Sequence, residues 1–173
     1  STDIRTAASL DLLGVENDYI GGHTGGSDVL AAMRRGEVDL RTGTVSNYLT
    51  TVVPEMVDTG ESLPLYYWGQ PIEGGEEVSP ALEDVPTFHD FHVAHRGAAP
   101  DGPAYDLLRY LTRTSDGLAW LFAAPPGTPD AIQQSLAEAY AEMVEDPDYV
   151  AAIAQVLGTA PEPVLRDEAI VIV

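Results

Sequence analysis

Leu63-Pro64-Leu65-Tyr66-Tyr67-Trp68 is a six-residue apolar run closed off by Gly69 and Pro71. A short continuous apolar run between such breakers suits a strand buried on both faces. Working upstream, Tyr48, Leu49, Val52, Val53, Met56 and Val57 mark the apolar face of a helix that Gly60 closes, with Pro54 as a kink or a break. Before it come the polar turn Thr42 to Asn47 and a strand, Val38 to Arg41. Earlier still, Ser27 or Asp28 caps a helix carrying Val29, Leu30 and Met33 that stops at Gly36, and Val15 to Ile20 reads as a short strand. The first helix is capped by Ser1 or Thr2, has Asp3 in its first turn, and repeats Ile4, Ala7, Ala8, Leu12 and Leu13 until Gly14. Helices alternating with strands in this way predict an α/β fold with a parallel sheet covered on both faces.

Downstream, Gln70 to Pro80 turns acidic and glycine-rich, which marks a surface loop. Pro103 suits the first turn of a helix bearing Leu107, Leu108 and Leu111, and Leu118 to Ala123 is a further apolar strand. Pro129 and Asp130 open a long helix with Ile132, Leu136, Tyr140 and Met143. Pro147 opens another with Val150, Ile153 and Leu157, and Ile170 to Val173 is a closing strand.

With 45% hydrophobic residues over 173 positions, the chain has enough apolar matter for a sizeable core. Its 28 acidic residues outnumber eight basic ones, all of them Arg, for a net charge of -20. A nucleic-acid partner is excluded, because phosphate backbones need a basic footprint. The absence of Cys rules out disulfides, thiol catalysis and Cys-ligated zinc. No apolar run approaches the roughly 20 residues that span a bilayer.

Three segments stand out together: Arg35-Gly36-Glu37-Val38-Asp39, Leu82-Glu83-Asp84-Val85-Pro86-Thr87, and Ala124-Pro125-Pro126-Gly127-Thr128-Pro129-Asp130. In this order and context the chain resembles the solute-binding receptors of tripartite tricarboxylate transporters, the Bug or TctC-like proteins, over nearly all its length. The resemblance implies a three-layer αβα lobe of a type II periplasmic binding protein. Residues 1–117 would form the second, ligand-binding lobe, and 118–173 a C-terminal segment returning to a first lobe that is mostly outside this chain. It further implies a non-catalytic, cofactor-free function. That function is periplasmic capture of a small organic solute, a carboxylate, for delivery to membrane transporter subunits.

Helix starts gather unpaired N–H donors and partial positive charge, so one that faces a cleft can hold a carboxylate. The candidates are Ser1, Thr2 and Asp3 at the first helix, Gly25 at the second, and Thr44 and Ser46 at the third. The resemblance matches Ser1 and Thr2 to the end of a ligand-clasping loop. It matches Gly43 and Thr44 to a strand end that often carries Asp or Asn, and His23 to the aromatic position of a glycine-rich turn in which Thr24 replaces a usual Lys. Arg5 lies one turn into the first helix, facing solvent or within reach of a bound anion. Trp68 and Trp120 read as core residues.

Two other readings stand beside the receptor. His89, His92 and His95, with Asp90 beside them, would lie along one stripe of a helix and could serve a metal-dependent hydrolase. No G-x-S-x-G elbow or H-E-x-x-H pattern accompanies them. An α/β interaction domain that binds no solute is the second alternative.

Overall fold

The computed structural model describes residues 2–116 and 122–166. Two compact units, Ser1–Thr112 and Arg113–Val173, divide the chain. In the first, α1 (Thr2–Leu12) and α2 (Gly26–Arg34) precede α3, a single turn at Val45–Asn47 that continues as a π-helix over Tyr48–Val57. A hairpin of β1 (Pro71–Ile72) and β2 (Gly75–Glu76), a 3-10 turn at Pro80–Leu82 and α4 (Phe88–Arg96) follow, then α5 (Gly102–Asp116), whose last turn passes the unit boundary after Thr112. The second unit holds α6 (Asp130–Glu145) and α7 (Pro147–Leu157).

The three-layer αβα lobe is not what forms. The described residues are 54% helical, and among them the one sheet is the antiparallel β1–β2 pair. Val15 to Ile20 joins no ladder, leaving Tyr19 73% and Ile20 54% exposed, and Val38 to Arg41 is likewise unpaired. The run Leu63 to Trp68 makes a lone parallel bridge, Tyr67 to Thr87, in which Tyr67 donates to the Pro86 carbonyl at 3.1 Å and accepts from Phe88 at 2.7 Å. Pro64 has no N–H to give a ladder. The run instead buries its aromatic end against a helix: Tyr66 meets Phe88 at 5.2 Å and Phe91 at 5.1 Å between ring centres, while Leu63 stays exposed. Burial that a sheet would have supplied comes from edge-on aromatic packing. Of the remaining expected strands, Leu118 to Ala123 falls mostly, and Ile170 to Val173 wholly, outside the described residues; Phe122 and Ala123 join no strand.

Helix boundaries follow local chemistry. Gly14 (φ 64°) and Gly36 (φ 71°) take the left-handed conformation that ends a helix, and the next N–H in each case reaches back five residues, Val15 to Leu10 and Glu37 to Ala32. Thr87 caps α4 by accepting the Asp90 N–H at 3.2 Å, and Gly97 closes it. Pro54, which has no N–H, lies inside the widened π-helical stretch, so the chain accommodates it without a break.

The core of the first unit is Phe88, Tyr105 and Leu108, packed by Leu12, Leu13, Tyr66 and Trp68. Arg5, expected at a solvent-facing or anion-reaching position, is buried with its guanidinium 4.6 Å from the Trp68 ring centre, so Trp68 serves as both core and cation platform. In the second unit Asp146 caps α7 by accepting from Asp148 and Tyr149 at 2.8 and 3.0 Å, yet neither α6 nor α7 has a fully buried residue. Among the described residues no helix is long and apolar enough to cross a membrane.

Phe88 is wholly buried, so Phe88→Ala should cost about 3–5 kcal/mol of unfolding free energy, read from urea denaturation followed by circular dichroism. Glu76 offers a test of opposite sign. Burial raises its pKa, against the N–H groups of His89 and Gly69 that its Oε2 accepts. A carboxyl with a raised folded pKa binds more protons folded than unfolded, so its contribution is favourable at low pH and is lost as pH rises toward that folded value. Glu76→Gln should therefore be more stable than the parent at pH 7, with the difference vanishing near pH 4 in parallel denaturation series.

Candidate functional site

The turn between α2 and the π-helix carries one cation in a stretch without acids: from Leu40 to Pro54 there is Arg41 and no Asp or Glu. Arg41 is half-buried. Its Nη2 donates to Asn47 Oδ1 at 2.7 Å, and its Nη1 is shut off from solvent with no hydrogen-bond partner. Burial lowers its pKa, and among the described residues no carboxylate pairs with it. Contrast Arg34, which donates to Glu61 at 2.9 Å, and Arg35, which meets Glu37 at 2.7 Å. An enclosed guanidinium donor without an acceptor is a standing desolvation cost, which an incoming anion would remove.

The surrounding turn is built to keep that donor in place. Thr44 caps the helix by accepting the Asn47 N–H at 3.2 Å, and Thr50 donates back to the Ser46 carbonyl at 2.8 Å. These bonds fix Asn47 where its side-chain oxygen meets Arg41. Its Nδ2 donates to no described residue, which leaves a second donor beside the guanidinium. Thr6 on α1 donates to the Thr42 hydroxyl at 3.2 Å and ties the first helix to the turn. A recess of about 70 Å³ is lined by Arg41, Thr42, Gly43, Asn47, Tyr48 and Val52.

Two glycines approach the guanidinium, Gly43 closely enough that a side chain there would displace its tip and Gly26 at ordinary contact distance. A Cβ on Gly43 would lie 2.8 Å from Arg41 Nη2, and one on Gly26 would lie 3.7 Å away. The first residue of α2 thus adjoins the guanidinium, adding the partial positive charge of a helix start to the same neighbourhood.

Of the residues anticipated from the sequence, Gly43 alone lines this recess. Ser1 is outside the described residues, and Thr2 begins α1. Asp3 is exposed and accepts from the Tyr19 hydroxyl at 3.3 Å. His23 faces the chain's own carboxylate, with Nδ1 3.5 Å from Asp28 Oδ2, and the Thr24 N–H donates to that oxygen at 3.1 Å. The Thr24 N–H first, then His23, hold the Asp28 carboxyl below its ordinary range against the opposing effect of burial. Gly25 caps α2 with backbone alone. Thr44 and Ser46 belong to the turn that carries the recess without lining it. Arg41 and Asn47 were not anticipated. The signal for them was the acid-free interval around Arg41 in a chain of net charge -20.

The histidines of α4 are each engaged separately. His89 Nδ1 lies 3.1 Å from Asp90 Oδ1. His92 is buried, with Nδ1 2.9 Å from the Ala98 carbonyl and Nε2 3.3 Å from that of Leu12. His95 stacks on Phe91 at 4.0 Å and donates to its carbonyl. Among the described residues no group of three or more His, Cys, Asp or Glu is arranged to hold a metal ion.

In comparisons with known proteins, no family model matches the chain, and neither a curated protein nor a solved structure does.

Gly43→Ala isolates the recess from the fold. Because the clash falls on the far end of a flexible side chain, the unfolding midpoint should shift little. The Arg41 Nε–H resonance should nevertheless move, as Nη2 is driven off Asn47.

Proposed function

We propose that this chain captures a small organic carboxylate as part of an extracytoplasmic solute-binding receptor that serves a tripartite tricarboxylate-type membrane transporter. The single observation carrying the ligand class is Arg41, whose Nη1 is buried and lacks an acceptor, beside an Asn47 amide with a donor to spare. A carboxylate bridging those two groups would gain one charge-assisted and one neutral hydrogen bond and would neutralise a desolvated cation. The transporter role rests on the resemblance of the Arg35-to-Asp39, Leu82-to-Thr87 and Ala124-to-Asp130 segments, not on the sheet-based lobe that it implied.

The test is a titration of the ¹⁵N-labelled protein with hexanoate, benzoate, succinate and citrate, monitored at the Arg41 Nε–H. At least one should shift that resonance saturably. Arg41→Gln should weaken its binding by tenfold or more, on the order of the 1.5–3 kcal/mol of a hydrogen bond to a charged group. Uncharged hexanamide should not compete. If none of the four acids produces a saturable shift, the reading fails.

A further inference from the structure

Two contacts of different chemistry hold the β1–β2 hairpin against the helices of the first unit. On α5, Arg109 grips both strands at once: Nη2 donates to the Ile72 carbonyl at 2.9 Å and Nη1 to that of Gly75 at 3.3 Å, and these two residues are register partners. At the other end Glu76, the last residue of β2, accepts two backbone N–H groups with Oε2, that of His89 at the start of α4 at 3.4 Å and that of Gly69 at 3.3 Å. The space beneath is closed. Gly75 is buried, with His89 Nδ1 3.5 Å from where a Cβ would stand, and a side chain on Gly69 would run into the Glu77 carbonyl. The Glu77 N–H completes the attachment by donating to the Gln70 carbonyl at 2.8 Å.

The two contacts answer differently to pH. A guanidinium stays charged in proteins, so the Arg109 grip is constant, whereas the Glu76 contact depends on a carboxyl that can ionise. The groups facing that carboxyl are His89 on α4, Tyr105 and Arg109 on α5, and Tyr67 on the segment that leads to Gly69. Asp90 is turned to His89 Nδ1 at 3.1 Å, and Glu77 is exposed. Burial is the largest influence on Glu76 and raises its pKa, outweighing the His89 and Gly69 N–H groups and the charges of His89 and Arg109. A neutral acid still accepts both N–H groups in this enclosed place, while a carboxylate there lacks the water it would have outside. The hairpin has two residues in each strand, and so small a ladder has little stability of its own. It is the piece that can move to let water reach the carboxylate.

We infer that the β1–β2 hairpin is a pH-sensitive flap, hinged on Arg109, which opens at its Glu76 end when that carboxyl ionises while the rest of the first unit stays folded. The closed form is favoured in full below the ordinary Glu value of 4.5 and loses that advantage as pH rises through the higher folded value. Opening bares the Gly69 and His89 amides and the start of α4 to solvent.

Hydrogen exchange of the whole chain, read by NMR at pH 4.5 and pH 7 and corrected for intrinsic rates, tests the flap. The Glu77 N–H reports the Glu76 end of the hairpin, and the Phe91 N–H, which donates to the Thr87 carbonyl at 2.9 Å, reports α4. Protection at Glu77 should fall at least about threefold between the two pH values. It should also be insensitive to low urea, because a local opening exposes little surface, whereas Phe91 exchange should rise with urea as global unfolding does. Glu76→Gln keeps an oxygen for both N–H groups and cannot ionise, so in it the Glu77 protection should be the same at both pH values. A smaller change in the parent overturns the inference. So does a Glu77 urea slope equal to that of Phe91, since the hairpin would then open only with the whole unit. A pH-dependent loss that persists in Glu76→Gln overturns it as well, by assigning the effect to another group.

Discussion

Two backbone hydrogen bonds at Tyr67 hold the first unit together. By donating to Pro86 and accepting from Phe88, Tyr67 pins an otherwise unpaired segment to the start of α4. The neighbouring Tyr66 is thereby set edge-on to Phe88. Phe88 then organises the buried cluster with Tyr105 and Leu108 from α5, against which Leu12 and Leu13 of α1 pack. From Tyr66 the connection runs outward through polar groups: its hydroxyl lies 2.8 Å from that of Ser9, and one turn earlier on the same helix Thr6 reaches Thr42 beside the recess. An aromatic core and a charged site are therefore linked by one face of α1. The fixed position of Arg41 depends on packing well away from it.

How much of this was legible in the sequence depended on the range of the forces involved. Helix ends were legible because they are settled within a few residues: the left-handed glycines at 14 and 36, and prolines in the first turns of α5 and α7, act through backbone conformation alone. Strands were not, since an apolar run specifies that it will be buried but not by what. Leu63 to Trp68 satisfies that demand with the rings of α4, and Pro64 weakens the alternative. The π-helical form of Tyr48–Val57 was foreshadowed by Pro54 only as an irregularity. Arg41 was passed over because its surroundings looked like the end of a strand. Its significance comes from what is missing near it, and that becomes visible once the ion pairs of Arg34 and Arg35 are seen to exclude it.

The distribution of charge bears on binding more than its total does. A chain with 28 acidic residues repels anions at long range, so any anion site must work by local enclosure. Burying a guanidinium without a counter-ion is costly. Around Arg41 the cost is limited by the Asn47 oxygen and by partial exposure, leaving one donor unsatisfied rather than a whole cation. Asp28 illustrates the alternative outcome at the start of α2, where His23 Nδ1 and the Thr24 amide are already answered from within the chain.

The two units differ in a way that governs how each responds to partial unfolding. Residues such as Phe88 and Leu108 are sealed from water, whereas in the second unit Ile132, Leu136 and Val156 keep half or more of their surface wet. Helices whose apolar side chains remain hydrated gain little from tertiary packing, so α6 relies mainly on local backbone bonding and α7 on that together with its Asp146 cap. Amide protons there will trade with deuterated solvent long before those of α4 and α5. A protease offered the native protein will find its earliest cuts in that C-terminal part.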